Sequence, residues 1–148
     1  MADILVHRSG AVGHVVFSNV DKFNAMTTQM WQDLPAHIAE LDTDPDIRAI
    51  VLSGEGDKAF VSGADISQFG AERTEASAQQ NYKKLVDAAY LAPTQASKPT
   101  IAKIRGICMG GGLGLAAGCD IRICAEDARV RMPAGRLSLG YDQVGVRR

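Results

Sequence analysis

The chain has 148 residues, 46% of them hydrophobic and 22% charged, the range expected of one soluble globular domain with its own core. Sixteen basic against seventeen acidic residues leave a formal charge of -1, without the basic stripe that a nucleic-acid binder uses to neutralise phosphates. No apolar run approaches the roughly 18 residues of a membrane span, and MADILVHRSG lacks the apolar core of a signal peptide, so a cytoplasmic setting with no membrane partner is expected.

ILVHRSGAVGHVVFS predicts a hairpin turning at Gly10, with Val15 and Phe17 on one face and Val16 on the other. Met30, Leu34, Ile38 and Leu41 then recur at helical spacing between Thr27, which can cap the first turn, and Asp42; Pro35 is expected to kink this helix. RAIVLSG, residues 48 to 54, and AFVSG, residues 59 to 63, read as buried strands, and Asp65 can cap the short turn DISQF. A polar stretch from Gly70 leads into a helix with Tyr82, Leu85, Val86 and Ala89 on one stripe, expected to end at Pro93. PTIAKIRGICM reads as one strand, the glycines and GLGLAAG as a short helix, CDIRICA as a strand and ARVRM as one more. Strand and helix alternate throughout without a linker or low-complexity tract, which makes the class α/β in a single domain.

Cys108, Cys119 and Cys124 are odd in number and form no CxxC pair, so they suggest neither a disulfide framework nor a metal site and are expected as buried free thiols. His7, His14 and His37 fall in the hairpin and the first helix, where a catalytic role is not expected. Trp31 and Phe69 read as core or pocket wall.

ICMGGGLGLAAGCD, residues 107 to 120, carries the strongest signal. Each glycine costs about 0.5–1 kcal/mol relative to alanine inside a regular element, so three in a row imply that the backbone itself is used. A Walker phosphate loop is excluded because Leu113 and Gly114, not Lys-Ser/Thr, follow the last of the three. Gly112, Gly114 and Ala117 do satisfy G-x-G-x-x-A, with Glu126 or Asp127 as a later acid. Only about six residues reach from Gly112 to the next strand, however, too few for a crossover helix of a dinucleotide fold. The remaining reading is a helix opening whose free N–H groups face a developing negative charge. SGADI, residues 62 to 66, offers a second such donor, since Gly63 permits a tight bend and leaves the Ala64 N–H outward; alone it reads more readily as a plain strand-to-helix turn.

Taken together, DKFNAM (21 to 26), AFVSGADI (59 to 66) and KPTIAKIRGICMGGGLGLAAGCDIRICAEDARVRMP (98 to 133) resemble the crotonase, or enoyl-CoA hydratase/isomerase, superfamily in order and spacing. The resemblance runs from near residue 4 to residue 148. It implies a spiral of repeated ββα units that binds acyl-CoA thioesters, with the Ala64 and Gly111 N–H groups forming an oxyanion hole. It also implies that Lys22, Phe23 and Ala25, with Ser62, Gly63, Asp65 and Ile66, line the groove for coenzyme A, which enters as part of the substrate and not as a separate cofactor. Lys22 is a candidate to meet a phosphate, or else a solvated loop lysine.

Two positions depart from the hydratases of that superfamily, whose acid and base glutamates match Gly114 and Ala134 here. Neither residue can transfer a proton, so the two-glutamate route to water addition is not available here, and the expected activity is that of an enoyl-CoA isomerase or a hydratase working by another proton carrier. Asp142, in LSLGYDQVG, falls where isomerase-like and dehalogenase-like members keep a catalytic aspartate; it is the candidate base or nucleophile, against the alternative of a turn aspartate bonded to its own loop. Tyr141 reads as a packing residue, and no spacing argument decides Arg136. Members of the superfamily continue into C-terminal helices that complete the acyl pocket and build trimers. A homotrimer or hexamer is therefore expected of a completed chain, and exposed apolar surface if the chain stops at Arg148.

Overall fold

The computed structural model describes residues 1–68 and 76–133. Strands β1 (Asp3–Ser9) and β2 (Val12–Ser18) form the expected antiparallel hairpin, turning at Gly10 with φ +56°. Val15 and Phe17 point into the core and Val16 lies on the other face, half-buried. Helix α1 (Thr28–Thr43) starts where the Thr27 hydroxyl accepts the Met30 N–H at 3.2 Å, and its stripe of Met30, Trp31, Leu34, Ile38 and Leu41 is buried. It continues through Pro35 as one element, because that packed stripe outweighs the single backbone hydrogen bond the ring removes.

After α1 the chain repeats one unit. Strands β3 (Ala49–Gly54) and β4 (Ala59–Val61) precede α2 (Ala76–Gln95); β5 (Thr100–Ile104) and β6 (Ile107–Met109) precede α3 (Gly111–Gly118); β7 (Ile121–Cys124) and β8 (Arg129–Arg131) follow. The first strand of each pair joins a five-stranded sheet of order β1-β2-β3-β5-β7, and the second joins a three-stranded sheet of order β4-β6-β8. All pairings beyond the first hairpin are parallel. The fold is thus an α/β, crotonase-like arrangement of repeated ββα units.

PTIAKIRGICM, expected as one strand, is two strands in different sheets. The break is at Gly106, with φ +57°, where a β-carbon would lie 2.0 Å from the Lys58 carbonyl oxygen, so only glycine lets β6 turn away against the β3–β4 connection. Helix α2 also passes its expected end at Pro93 and stops at Gln95, with Ala89, Tyr90 and Ala92 packed against the core through that last stretch. Cys108 and Cys119 are buried, and burial pushes both thiols up to about 12, so neither is a nucleophile at neutral pH. Cys124 is instead exposed, because β7 is the outer strand of the described sheet. Among the described residues no helix is long and apolar enough to cross a membrane.

The two sheets are joined by aromatic packing. Phe17 of β2 and Phe60 of β4 are both fully buried and meet edge to face, with ring centroids 5.6 Å apart and planes at 86°. Truncating such a ring leaves a cavity that the close-packed surroundings fill only in part. Phe60→Ala is expected to lower unfolding free energy by about 3–5 kcal/mol, read from the urea midpoint at unchanged slope.

Candidate active site

Two chain reversals meet where β4 and β6 end. The strands are parallel neighbours, with Val61 opposite Cys108, so the turn after β4 (Ser62 to Asp65) lies beside the turn after β6 (Gly110 to Gly112). Gly63 holds φ +128°, and a β-carbon there would come within 3.7 Å of the Met109 carbonyl oxygen. Gly110, the residue before α3, holds φ +52°, a conformation that favours glycine. At Gly112 a β-carbon would stand 2.1 Å from the Val61 carbonyl oxygen. The triple glycine therefore serves two separate needs, a left-handed entry to the helix and its seating directly on the end of β4.

The Ala64 and Gly111 N–H groups are the two backbone donors expected to face a ligand. Met26 and Ala64 form a parallel bridge in which the Met26 N–H donates to the Gly63 carbonyl and the Asp65 N–H to the Met26 carbonyl, each at 2.8 Å. That pattern uses the residues flanking Ala64, and the Ala64 N–H points away from the bridge. Gly111 opens α3, where the first N–H groups have no carbonyl inside the helix to meet, while the preceding Gly110 N–H is taken by the Arg131 carbonyl at 3.0 Å. Among the described residues neither the Ala64 nor the Gly111 N–H donates a backbone hydrogen bond. Both sit at the C-terminal ends of adjacent parallel strands, the end at which open α/β sheets place ligands.

The loop from Lys22 to Ala25 is stitched to the first of these turns. The Ser62 N–H donates to the Phe23 carbonyl at 3.1 Å and the Ser62 hydroxyl to the Lys22 carbonyl at 3.2 Å. Ala25 is buried, whereas Phe23 and Ile66 stay exposed beside the turn. Lys22 is neither free nor merely solvated: its Nζ donates to Asp65 Oδ2 at 2.8 Å and to the Ser67 hydroxyl at 2.7 Å. Burial pushes the Asp65 carboxyl up, but donation by Lys22 and by the Ser67 hydroxyl and N–H outweighs it and holds the group below its ordinary value. Asp65 also caps the short turn Ile66–Gln68 through the Ser67 N–H at 3.1 Å, as expected.

Asn24 is a residue that sequence reasoning missed. It is buried at φ +54°, following Phe23 at +52°, and its amide donates to the Glu55 and Ala59 carbonyls at 3.0 and 2.8 Å. The available signal was the residue type, since asparagine tolerates left-handed backbone better than most and pairs with backbone groups in loops.

The Gly114 position, where a hydratase acid was sought, is filled from elsewhere in the chain. A β-carbon there would lie 2.7 Å from the ring of Tyr90, and one at Gly111 would lie 3.0 Å from the indole of Trp31. Trp31 and Tyr90 meet edge to face at 5.6 Å, both buried. His7 and His14 stack on each other in the hairpin, away from these turns. Asp142, Ala134, Arg136, Tyr141 and Phe69 lie outside the described residues.

Fold and strand-end geometry together define a crotonase-like protein. The enoyl-CoA hydratase/isomerase family pattern matches residues 7–146, and the chain belongs to that family. It is 38% identical over 128 residues to the peroxisomal Delta(3,5)-Delta(2,4)-dienoyl-CoA isomerase of Arabidopsis thaliana, covering 80% of this chain and 46% of that protein. It is 30% identical over 131 residues to the short-chain-enoyl-CoA hydratase of Clostridium acetobutylicum, covering 88% and 49% of the two. Among solved structures, an enoyl-CoA hydratase/carnithine racemase from Magnetospirillum magneticum superposes with a TM-score of 0.91 at 33% identity, over 96% of this chain and 53% of that one. The chain thus spans about half the length of the relatives it matches.

Two outcomes follow from this geometry. Gly112→Ala forces a β-carbon onto a backbone oxygen that cannot move aside, so calorimetry is expected to show a loss at or above the top of the about 1–3 kcal/mol range for overpacking. Because the Asp65 pKa is depressed in the fold, its contribution is complete above the ordinary value of 3.8 and is lost as pH falls through the lower folded value. Melting temperature should therefore drop in acid, and Asp65→Asn should flatten that part of the profile.

Proposed function

We propose that the chain processes acyl-CoA thioesters, stabilising a thioester enolate between the N–H groups of Ala64 and Gly111. The observation that carries this reading is a pair of backbone donors at the ends of two adjacent parallel strands that have no backbone acceptor among the described residues. Removing a proton from a carbon conjugated to the thioester moves an electron pair onto the carbonyl oxygen. Returning the proton at another carbon shifts the double bond. A preorganised donor aimed at that oxygen lowers such a barrier by about 3 kcal/mol. The α3 dipole, positive at Gly111, acts in the same direction.

Asp142 is the proposed carrier of the proton, and the loops of residues 22 to 25 and 62 to 66 are the proposed coenzyme A groove. With Lys22 committed to Asp65, that groove would hold its ligand through shape and backbone groups more than through a free lysine charge. Double-bond isomerisation is favoured over hydration, because Gly114 and Ala134 offer no acid and the Tyr90 ring occupies the space beside Gly114. The likeness to a dienoyl-CoA isomerase agrees with this.

The same two positions favour a second reading, an acyl-CoA-binding member of the family without turnover. A panel of 2-enoyl-, 3-enoyl- and 3,5-dienoyl-CoA substrates separates them, with binding followed by calorimetry. Turnover is expected on at least one unsaturated thioester, falling by about 100-fold or more in Asp142→Ala. Unchanged turnover in that variant removes Asp142 from the mechanism, and tight binding with no turnover of any substrate leaves only the second reading.

A further inference from the structure

The outer face of the five-stranded sheet carries two cations that no group among the described residues neutralises. Ala102 and Ile104 of β5 are buried, so alternation puts Lys103, and Arg105 just beyond the strand, on the opposite side, both exposed and about 7 Å apart along the chain. Lys103 is the register partner of Ser53 in β3, whose inward neighbour Leu52 is likewise buried. Ser53, Lys103 and Arg105, with Gly54 and Gly56 of the β3–β4 connection, line a cavity of about 50 Å³. Gly56 holds φ +73°, and a β-carbon there would meet nothing within 4 Å, so the connection leaves this space open. Among the described residues neither Lys103 nor Arg105 has an ion pair or a side-chain hydrogen bond. The carboxylates of the same connection face elsewhere: Glu55 accepts the Ser18 hydroxyl, and Glu55 and Asp57 line the adjoining cavity beside Phe23.

We propose that this cavity is a small-oxyanion site for a phosphate dianion, held between Lys103 and Arg105 with the Ser53 hydroxyl as a third donor. Two like charges this close on one face repel each other, and a dianion between them cancels both. The guanidinium offers a planar fork to two oxygens and the ammonium a point charge to a third, which suits a tetrahedral phosphate better than a single carboxylate. The cavity is far smaller than the about 300–1,000 Å³ of pockets that enclose a whole small molecule, so it takes an ion and not a cofactor. It is also distinct from the turns at Ala64 and Gly111: those follow β4 and β6, whereas Ser53, Gly56, Lys103 and Arg105 precede them. The assignment does not depend on the acyl-CoA reading above.

Binding of inorganic phosphate is measured by calorimetry at constant ionic strength on the wild type, Lys103→Gln, Arg105→Gln and the control Lys58→Gln, a lysine of the adjoining cavity. All three side chains are exposed, so the variants are expected to fold, and melting curves check this. Expected is saturable one-to-one binding by the wild type, weakened about tenfold or more in Lys103→Gln and in Arg105→Gln and kept in Lys58→Gln. Phosphate should also raise the melting temperature of the wild type and Lys58→Gln more than that of the other two. Absence of saturable binding overturns the proposal, as does an equal loss in all three variants, which would mark diffuse surface charge. Coenzyme A is the second arm. A matching loss of coenzyme A affinity in Lys103→Gln and Arg105→Gln assigns the cavity to the nucleotide and overturns an independent site, whereas unchanged affinity supports it. A wild type that binds phosphate at this cavity but no coenzyme A also supports it, and fails only the acyl-CoA reading.

Discussion

Contact between the first turn of α3 and the last residue of β4 is the constraint on which the rest of this structure depends. With 2.1 Å between a would-be β-carbon at Gly112 and the Val61 carbonyl oxygen, the helix can sit there only if that residue has no side chain. Once it is seated, the N-terminus of α3 opens beside the turn that follows β4. The parallel pairing of β4 with β6 supplies the lateral register, and Gly63 and Gly110 supply backbone conformations that favour glycine. Glycine's destabilising effect on a regular element is offset here by helix–strand packing that brings together two N–H groups with no backbone acceptor among the described residues.

A centre made from backbone has a consequence for how the chain divides its work. Backbone donors at a strand end and a helix start are insensitive to which side chains surround them, as long as the bends persist. Under the proposed acyl-CoA reading, selectivity and proton handling then come from side chains delivered by other elements. The polar groups nearest the bare face of α3 come from α1 and α2, while Asn24, Lys22 and Asp65 serve to lock the adjoining loop to the turn after β4. Burial of Asn24 and Asp65 with their partners satisfied keeps this loop from collapsing onto the site.

Much of the fold was legible along the chain, and its misreadings share a cause. The hairpin at Gly10, the Thr27 cap and the Asp65 cap are local features, decided by residues a few positions apart, and all three stand as expected. The strand break at Gly106 was not legible, because that glycine bends the chain around Lys58, a residue from the preceding repeat. Pro93 was overridden by the buried stripe of α2, and Cys124 is exposed although its sequence neighbours are apolar, because β7 is the outer strand among the described residues. In each case a non-local contact, or the lack of one, outweighed the local signal.

The sequence by itself determined where the backbone is bare. A run of glycines opening a helix, and an SGAD turn after a short strand, can be recognised because conformational freedom and absence of a β-carbon are properties of the residue. Only the tertiary structure decided that the two stretches are neighbours, since this follows from parallel pairing between strands separated by a whole helix. The same holds for the corner formed by Trp31, Tyr90 and Gly114, which are distant in sequence and meet because three helices pack on one another. Local chemistry can be read from the order of residues, whereas juxtaposition depends on the core that brings them together.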